Sequence, residues 1–309
     1  MLKKILALLL VGALLTVGFA SCSKKKTGSS AADDPAYQND DDIIATFARV
    51  ESVDADGNAQ KDENGRQIYE YFEFESLDDE TVELISFRAE VKGDASGSTP
   101  SYIPCYTLHT VVIPNELSGK KVTNIGASAF KQRSEISSVV IPETVSVIGD
   151  RAFVECSALT AVSLPASLAT LGEAAFYKCV GLTSVTFHAS APLETIGKAA
   201  FKDCSALTAI NIPASVRTIS EGAFLGCSAA TSVTVAEGVT RIEDQAFQGL
   251  SALTSLTLPA SVTFIGGLNF YGSTALTAAG VTAPADSLAE AYLARVLAGD
   301  PPTEAMTKE

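Results

Sequence analysis

Residues 159–179 read Leu-Thr-Ala-Val-Ser-Leu-Pro-Ala-Ser-Leu-Ala-Thr-Leu-Gly-Glu-Ala-Ala-Phe-Tyr-Lys-Cys, and residues 207–227 read Leu-Thr-Ala-Ile-Asn-Ile-Pro-Ala-Ser-Val-Arg-Thr-Ile-Ser-Glu-Gly-Ala-Phe-Leu-Gly-Cys. The large apolar side chains fall at the same places in both. Working outward from this pair, phenylalanine recurs at Phe130, Phe153, Phe176, Phe201, Phe224, Phe247 and Phe270, at spacings of 23 residues except for one of 25 between Phe176 and Phe201. An aliphatic residue stands five places before each: Ile125, Ile148, Leu171, Ile196, Ile219, Ile242 and Ile265. Nine and eleven places after them come pairs such as Val139 and Ile141, Val162 and Leu164, Val185 and Phe187, and Ile210 and Ile212, with Ala279 and Val281 closing the series. Self-similarity at a fixed period of this length is the mark of a solenoid.

Within one coil, Leu159 to Leu164 alternates apolar and small polar residues and stops at Pro165, which has no N–H to give a ladder; this predicts a short strand. The stretch Ile148 to Phe153 reads as a turn followed by a short helical piece with Ala152 and Phe153 inward. A lone coil buries one Phe and a few aliphatics, roughly 1.5–3 kcal/mol each, against an ordering cost of about 1–2 kcal/mol per residue. No coil folds alone, so neighbours must stack into a parallel sheet in front of a continuous row of phenylalanines. Leu108, Val111 and Ile113 before Pro114 supply a first strand, with Asn115 to Val122 as extra residues, for about eight strands in all. The two residues added between His188 and Glu194 are expected to bulge from a turn without breaking the stack. At the far end, Ser287-Leu288-Ala289-Glu290 is a capping box that opens a helix through Leu297, ended by Gly299 and Pro301 and covering the last coil.

The pattern Leu-Thr-x-Val-x-Leu-Pro-x-x-Val-x-x-Ile-Gly-x-x-Ala-Phe-x-x-Cys resembles the BspA-like leucine-rich repeats of bacterial surface proteins, and Ile113 to Gly126 is similar to that family's first repeat. The resemblance covers residues 105–295. Arg133, Leu250 and Ser273 in place of the coil cysteine, and Ala230 in place of the coil leucine, mark less regular coils. It implies an α/β-type repeat solenoid, a leucine-rich repeat with a parallel β-sheet of about eight strands, preceded by a small antiparallel β segment. It also implies a binding role: members are often lipoproteins or otherwise attached to the surface, and several are adhesins for host matrix or other bacterial cells.

The chain carries a formal charge of −14, and residues 33–100 hold 19 of its 36 acidic side chains against five basic ones. The basic stripe that phosphate binding needs is missing, which argues against nucleic acid as a partner. Lys3 and Lys4 precede an apolar run from Ile5 to about Gly18 that ends in Ala20 and Ser21, a signal-peptide pattern too short to span a bilayer. Cys22 directly after Phe19, Ala20 and Ser21 resembles the lipobox of bacterial lipoproteins, with Phe19 where the usual box has Leu. The expected organisation is a signal peptide over 1–21, a lipidated flexible tether over 22–35, an acidic β-rich segment over 36–104, the solenoid over 105–285, and a capping helix and tail over 286–309. The expected place is the cell envelope, lipid-anchored at Cys22, at the outer membrane or cell surface. A periplasmic membrane-tethered scaffold that assembles with other envelope proteins is the alternative.

Five further cysteines, Cys105, Cys156, Cys179, Cys204 and Cys227, occupy one coil position. A disulfide between adjacent coils is possible on distance. The odd number and the repeated position favour a column of buried free thiols, and parallel stacking does not converge them on a zinc tetrahedron. Asp54, Asp56, Asn58, Asp62 and Glu63 resemble a calcium loop but miss its glycine and its closing glutamate, and a hairpin turn explains them as well. His109, expected to face solvent, and His188, in place of a strand-ending proline, lack a nucleophile and a carboxylate in recognisable spacing. No phosphate loop or nucleophile elbow is present. No catalytic residue, metal or cofactor is therefore expected, and an enzyme in the acidic segment is the weakest reading. The candidate binding residues are those that strand alternation turns outward: Ser138, Ser163, Ser184, Thr186, Asn211, Ser232, Thr234, Ser255 and Thr257, for a protein or glycoprotein ligand. Tyr69, Tyr71, Phe72 and Phe74 in the acidic segment are a rival site.

Overall fold

A computed structural model of the chain describes residues 46–54, 56–63, 65–92, 102–104 and 108–308. Each coil carries two strands. The long strand of the coil quoted above, Ala161–Leu164, alternates exposed and buried residues, so Val162 and Leu164 enter the core and Ala161 and Ser163 face out. After Pro165 the chain turns into a two-residue strand, Thr170–Leu171, that buries Leu171. The short strands Val147–Ile148, Thr170–Leu171, Thr195–Ile196, Thr218–Ile219, Arg241–Ile242 and Phe264–Ile265 pair in parallel one after another, an unbroken second sheet.

The stretch that follows that strand and carries the phenylalanine is not the helix that the apolar spacing had suggested. Arg151, Glu155, Ala174, Lys178, Ala199 and Asp203 take positive φ between 53° and 61°. Amides there leave their own coil and donate to the next: Arg151 N–H to Glu173 O at 2.8 Å, Phe153 N–H to Ala175 O at 2.7 Å and Glu155 N–H to Tyr177 O at 2.8 Å. A helix would spend these donors inside one coil, whereas here they bind coil to coil. The left-handed conformation costs a non-glycine residue about 1–2 kcal/mol, and the inter-coil bonds, at about 1 kcal/mol each, offset it. Behind these turns Phe130, Phe153, Phe176, Phe201, Phe224, Phe247 and Phe270 stack with ring centroids 4.8–5.6 Å apart and planes within 9° of parallel.

Among the described residues the coils carry eight long strands, in two sheets of four. His109–Val112, Ile136–Val140, Ala161–Leu164 and Ser184–Phe187 form one; Ala209–Ile212, Ser232–Val235, Ser255–Thr257 and Val281–Thr282 form the other. The ladder lapses where the coil is two residues longer. The stack itself holds there, because Leu171 still pairs with Ile196 and Phe176 still lies 5.3 Å from Phe201. The lapse leaves Val185 and Phe187 half-buried, while the equivalent Val162, Leu164, Ile210 and Ile212 are buried. At the last coil a 3₁₀ turn, Ala278–Gly280, shifts the register, so Val281 lies opposite Leu256 instead of Leu258, and Ala279 is exposed.

The N-terminal segment is the first layer of the same stack. Strands β1 (Thr46–Glu51), β2 (Ile68–Ser76) and β3 (Thr81–Lys92) form an antiparallel meander, and β4 (Tyr102–Pro104) pairs with the end of β3. After β5 (His109–Val112), the extra residues form a tight hairpin, β6 (Glu116–Leu117) and β7 (Lys120–Ile125), turned at Ser118 and Gly119 with φ of 51° and 77°. β7 pairs in parallel with β3, which joins the meander to the short-strand sheet. Phe72 lies 5.4 Å from Phe87, and Phe87 lies 5.0 Å from Phe130, which extends the aromatic row into this segment. The other end is closed by helix α1 (Leu288–Leu297) and by Met306–Thr307, which pairs antiparallel with Phe264–Ile265. The Ser287 hydroxyl accepts the Glu290 N–H at 3.1 Å, and the buried Tyr292 hydroxyl donates to Gly266 O at 3.1 Å.

Candidate binding face

The nine outward residues expected to meet a partner lie in two columns. One runs Ser138, Ala161, Ser184 and resumes as Ala209, Ser232, Ser255; the other runs Val140, Ser163, Thr186 and resumes as Asn211, Thr234, Thr257. Neither column contains a charged side chain. Among the described residues, none of the nine side chains makes a hydrogen bond within the chain, and six of them are exposed, with Ser138, Ser232 and Thr257 intermediate. Sequence reading had missed a third column beside them. Thr160, Thr183, Thr208, Thr231 and Thr254 each donate the side-chain hydroxyl to a carbonyl of the preceding coil, at 2.9–3.2 Å. The signal was present, a threonine directly after the coil leucine (Ala230 in one coil), just before the long strand, in coil after coil. Those hydroxyls tie coils together, and the outer two columns are left uncommitted.

The face is divided. The ladder lapses between Ser184–Phe187 and Ala209–Ile212, so Thr186 and Asn211 are not ladder partners, and Val185 and Phe187 stay half-buried there. Phe187 meets Phe201 edge-on at 6.0 Å. The inserted turn places His188 next to it, with Nδ1 2.8 Å from the Ser190 hydroxyl, both residues exposed.

His109 is not outward. The register slips between His109 and Thr110, which turns His109 into the protein at 3% exposure and leaves Leu108 61% exposed, the reverse of the alternation expected from the strand pattern. His109 Nε2 lies 3.9 Å from Glu70 Oε1, and the buried Ser52 hydroxyl donates to the same oxygen at 2.6 Å. Burial pushes the Glu70 carboxyl up to about 8, with the Ser52 hydrogen bond opposing it. Serine, glutamate and histidine thus meet, but the hydroxyl serves the carboxylate and all three are buried, so the group is not built as a nucleophile with its base. Gln60 completes the junction: its amide donates to Thr110 O at 2.6 Å and accepts the Thr110 N–H at 2.8 Å, filling the edge of β5.

The calcium-like stretch forms two turns. Asp54 Oδ1 accepts the N–H groups of Asp56 and Asn58 at 3.0 and 2.9 Å, and the Asn58 backbone and side chain hold its carboxyl below the usual range. Asp62 binds the Arg66 guanidinium at 2.7 Å. Among the described residues no three His, Cys, Asp or Glu side chains gather as metal ligands, and no helix is long and apolar enough to cross a membrane. At the rival site Phe72 and Phe74 belong to the core, and Tyr69 and Tyr71 are half-buried. Cys156, Cys179, Cys204 and Cys227 are buried free thiols, each donating to a phenylalanine carbonyl of the preceding coil at 3.0–3.2 Å. Burial raises all four, Cys156 to about 12. Cys22, its tether and signal, and Cys105 lie outside the described residues.

The profile of the BspA type leucine rich repeat region matches six copies over residues 123–227 and 187–290, together more than half of the chain. A leucine-rich repeat protein of T. pallidum is similar in structure at 25% identity and a TM-score of 0.55, over 68% of this chain and 89% of that one. A leucine-rich repeat protein from Eubacterium ventriosum, at 21% identity and a TM-score of 0.51, matches over 71% of this chain and 50% of its own length and shares the fold. No curated protein matches.

Proposed function

The chain belongs to the BspA-type leucine-rich repeat family, and from that premise we propose that it is an exported, lipid-anchored envelope protein whose solenoid binds macromolecules at the cell surface. The partner is a protein or glycoprotein of host matrix or of another bacterial cell. Cys22 carries the anchor, and the segment to residue 35 holds the folded part off the bilayer. The observation that carries the binding role is the pair of outward columns, whose hydroxyls and amide are uncommitted within the described chain while the adjacent threonine column is used up. A polar group already bound to its own backbone has little to offer a partner; a free one at the surface exchanges water for a ligand.

The reading is tested by capturing extracellular-matrix and envelope fractions on the full mature chain and on a Thr186→Lys, Thr234→Lys variant. The expected result is retention of a matrix or cell-surface component by the parent and at least tenfold weaker retention by the variant, with unchanged melting. Equal retention by both would remove the strand face as the site. Protection of the protein from protease added to intact cells would remove the surface role and leave an envelope partner.

A further inference from the structure

The sheet that carries the short strands ends at the meander on β1, and the binding role assigns that edge no task. β1 pairs with β2 from Thr46 opposite Phe74 to Glu51 opposite Tyr69, with no bulge and no proline. Just beyond, the Ser52 N–H donates at 2.9 Å to the carbonyl of Ile68, the residue opposite it. Antiparallel strands alternate, so Thr46, Ala48 and Val50 turn their backbone groups to β2, while Phe47, Arg49 and Glu51 point N–H and C=O away from it. Among the described residues no strand pairs with that outer side. Other sheet ends in the fold are stopped: the Gln60 side chain takes both backbone groups of Thr110 at the edge of β5, and Met306–Thr307 closes the edge of Phe264–Ile265. An open, unbroken edge is a template for a further strand.

Charge selects what that strand can be. Residues 33–100 hold 19 acidic side chains against five basic ones. On the outer face of the meander Glu51 is exposed, Glu73 lies opposite Phe47, and Glu75 lies opposite Glu83, like charges in one ladder position. Among the described residues no ion pair reaches Glu75 or Glu83. A second copy would bring the same acidic surplus against itself, which disfavours the self-pairing that an open edge otherwise invites. We propose that the outer edge of β1 takes a basic, extended segment of a protein partner as an added strand, with Lys or Arg at alternate positions on the side of the outer-face glutamates. Backbone bonds to Phe47, Arg49 and Glu51 supply the affinity, and the alternate cations supply the selectivity. This surface shares no residue with the outward columns of the long strands, so either one can be lost without the other.

Amide exchange and titration of the full mature chain with a capped peptide of alternating Lys and Val test the edge. In the free chain the amides of Phe47, Arg49 and Glu51 should exchange fast beside slow Ala48 and Val50, and the peptide should protect them. Binding should weaken at least tenfold when Glu replaces Lys in the peptide. It should weaken at least tenfold when alternate peptide amides are N-methylated, which blocks a ladder and keeps the charge. Arg49→Pro removes the central outward N–H at a place where an edge strand tolerates proline, and it also removes a positive charge. Attraction between charges alone would then hold the cationic peptide more tightly, whereas an added strand gives at least tenfold weaker binding, with Arg49→Ala at parental affinity or tighter. Failure of the Lys and Val peptide to protect these amides, equal binding of its N-methylated form, or tighter binding by Arg49→Pro overturns the proposal. So does slow exchange of Phe47, Arg49 and Glu51 without peptide, whether in a monomer that covers its own edge or in a concentration-dependent dimer covered by a second copy. If Arg49→Pro does not fold, the exchange and the peptide series decide alone.

Discussion

The joint between the two four-stranded sheets is where the solenoid should come apart, and Phe201→Ala is the substitution that shows it. At a regular joint four residues of the long strands pair in register, as Ala161–Leu164 does with Ser184–Phe187; between Ser184–Phe187 and Ala209–Ile212 none do. With about 1 kcal/mol for each net hydrogen bond, two to four missing bonds make this joint roughly 2–4 kcal/mol weaker. What remains is the Leu171–Ile196 pairing, the Thr208 N–H and hydroxyl on Thr183 O at 3.1 Å each, the turn bonds such as Phe176 N–H to Ala200 O at 2.8 Å, the Cys204 thiol, and the stack of Phe176, Phe201 and Phe224 at 5.3 and 5.2 Å. Phe201 is fully buried, and its truncation costs about 3–5 kcal/mol in transfer and cavity terms. In a quasi-one-dimensional array such a loss at an already weak interface uncouples the halves. Urea unfolding followed by far-ultraviolet circular dichroism should give one transition for the parent. Phe201→Ala should give two transitions, or one with a clearly smaller m value. Phe153→Ala, next to an intact ladder, should shift the midpoint by a similar free energy and keep one transition. A single transition with parental m in Phe201→Ala would refute the weak joint.

Other expectations follow from the same geometry. Ala174 has φ of 54°, so Ala174→Gly should stabilise the protein by about 1 kcal/mol, read as a rise in melting temperature. A Cβ at Gly172 would lie 2.6 Å from the Asp150 nitrogen, so Gly172→Ala should cost roughly 1–3 kcal/mol in the same measurement. Thr183→Val removes a hydroxyl donated to Thr160 O at 2.9 Å and should cost about 1 kcal/mol, while Thr186→Val, outside that column, should cost within about 0.5 kcal/mol. Peptides containing Cys156, Cys179, Cys204 and Cys227 should stay unalkylated by iodoacetamide at pH 8 in native protein and react fully in urea, because burial holds these thiols protonated.

The period of 23, the inward aliphatics and the buried cysteines were legible in the sequence because each obeys burial, which depends on residue type. The turn before each phenylalanine was not. Ala-Ala-Phe is a good helix former by propensity, and only the neighbouring coil's carbonyls make the left-handed turn the better choice. Nor did alternation locate His109. A one-residue slip exchanges the faces of a strand, and the Gln60 amide that fills the edge of β5 comes from 50 residues away. The candidate columns were legible as outward positions, but their lack of internal hydrogen bonds, and the missing pairing between the strands of Thr186 and Asn211, needed coordinates.

These features divide labour within each coil. The bonds that hold neighbours together lie in the turn amides, the short strands, the threonine column and the aromatic row, all of which cross the joint without a ladder. The outward residues of the long strands contribute little of this, so they are free to vary in chemistry without loosening the stack. That freedom also explains how the longer coil is accommodated. Two added residues fall on the side that carries the long strand, and the cost is confined to Val185, Phe187 and one ladder, while the short-strand sheet and the phenylalanine spacing pass through nearly unchanged. The same insertion between Ile196 and Phe201 would displace a turn whose amides and ring are both committed to the neighbours, and it would cut the array there.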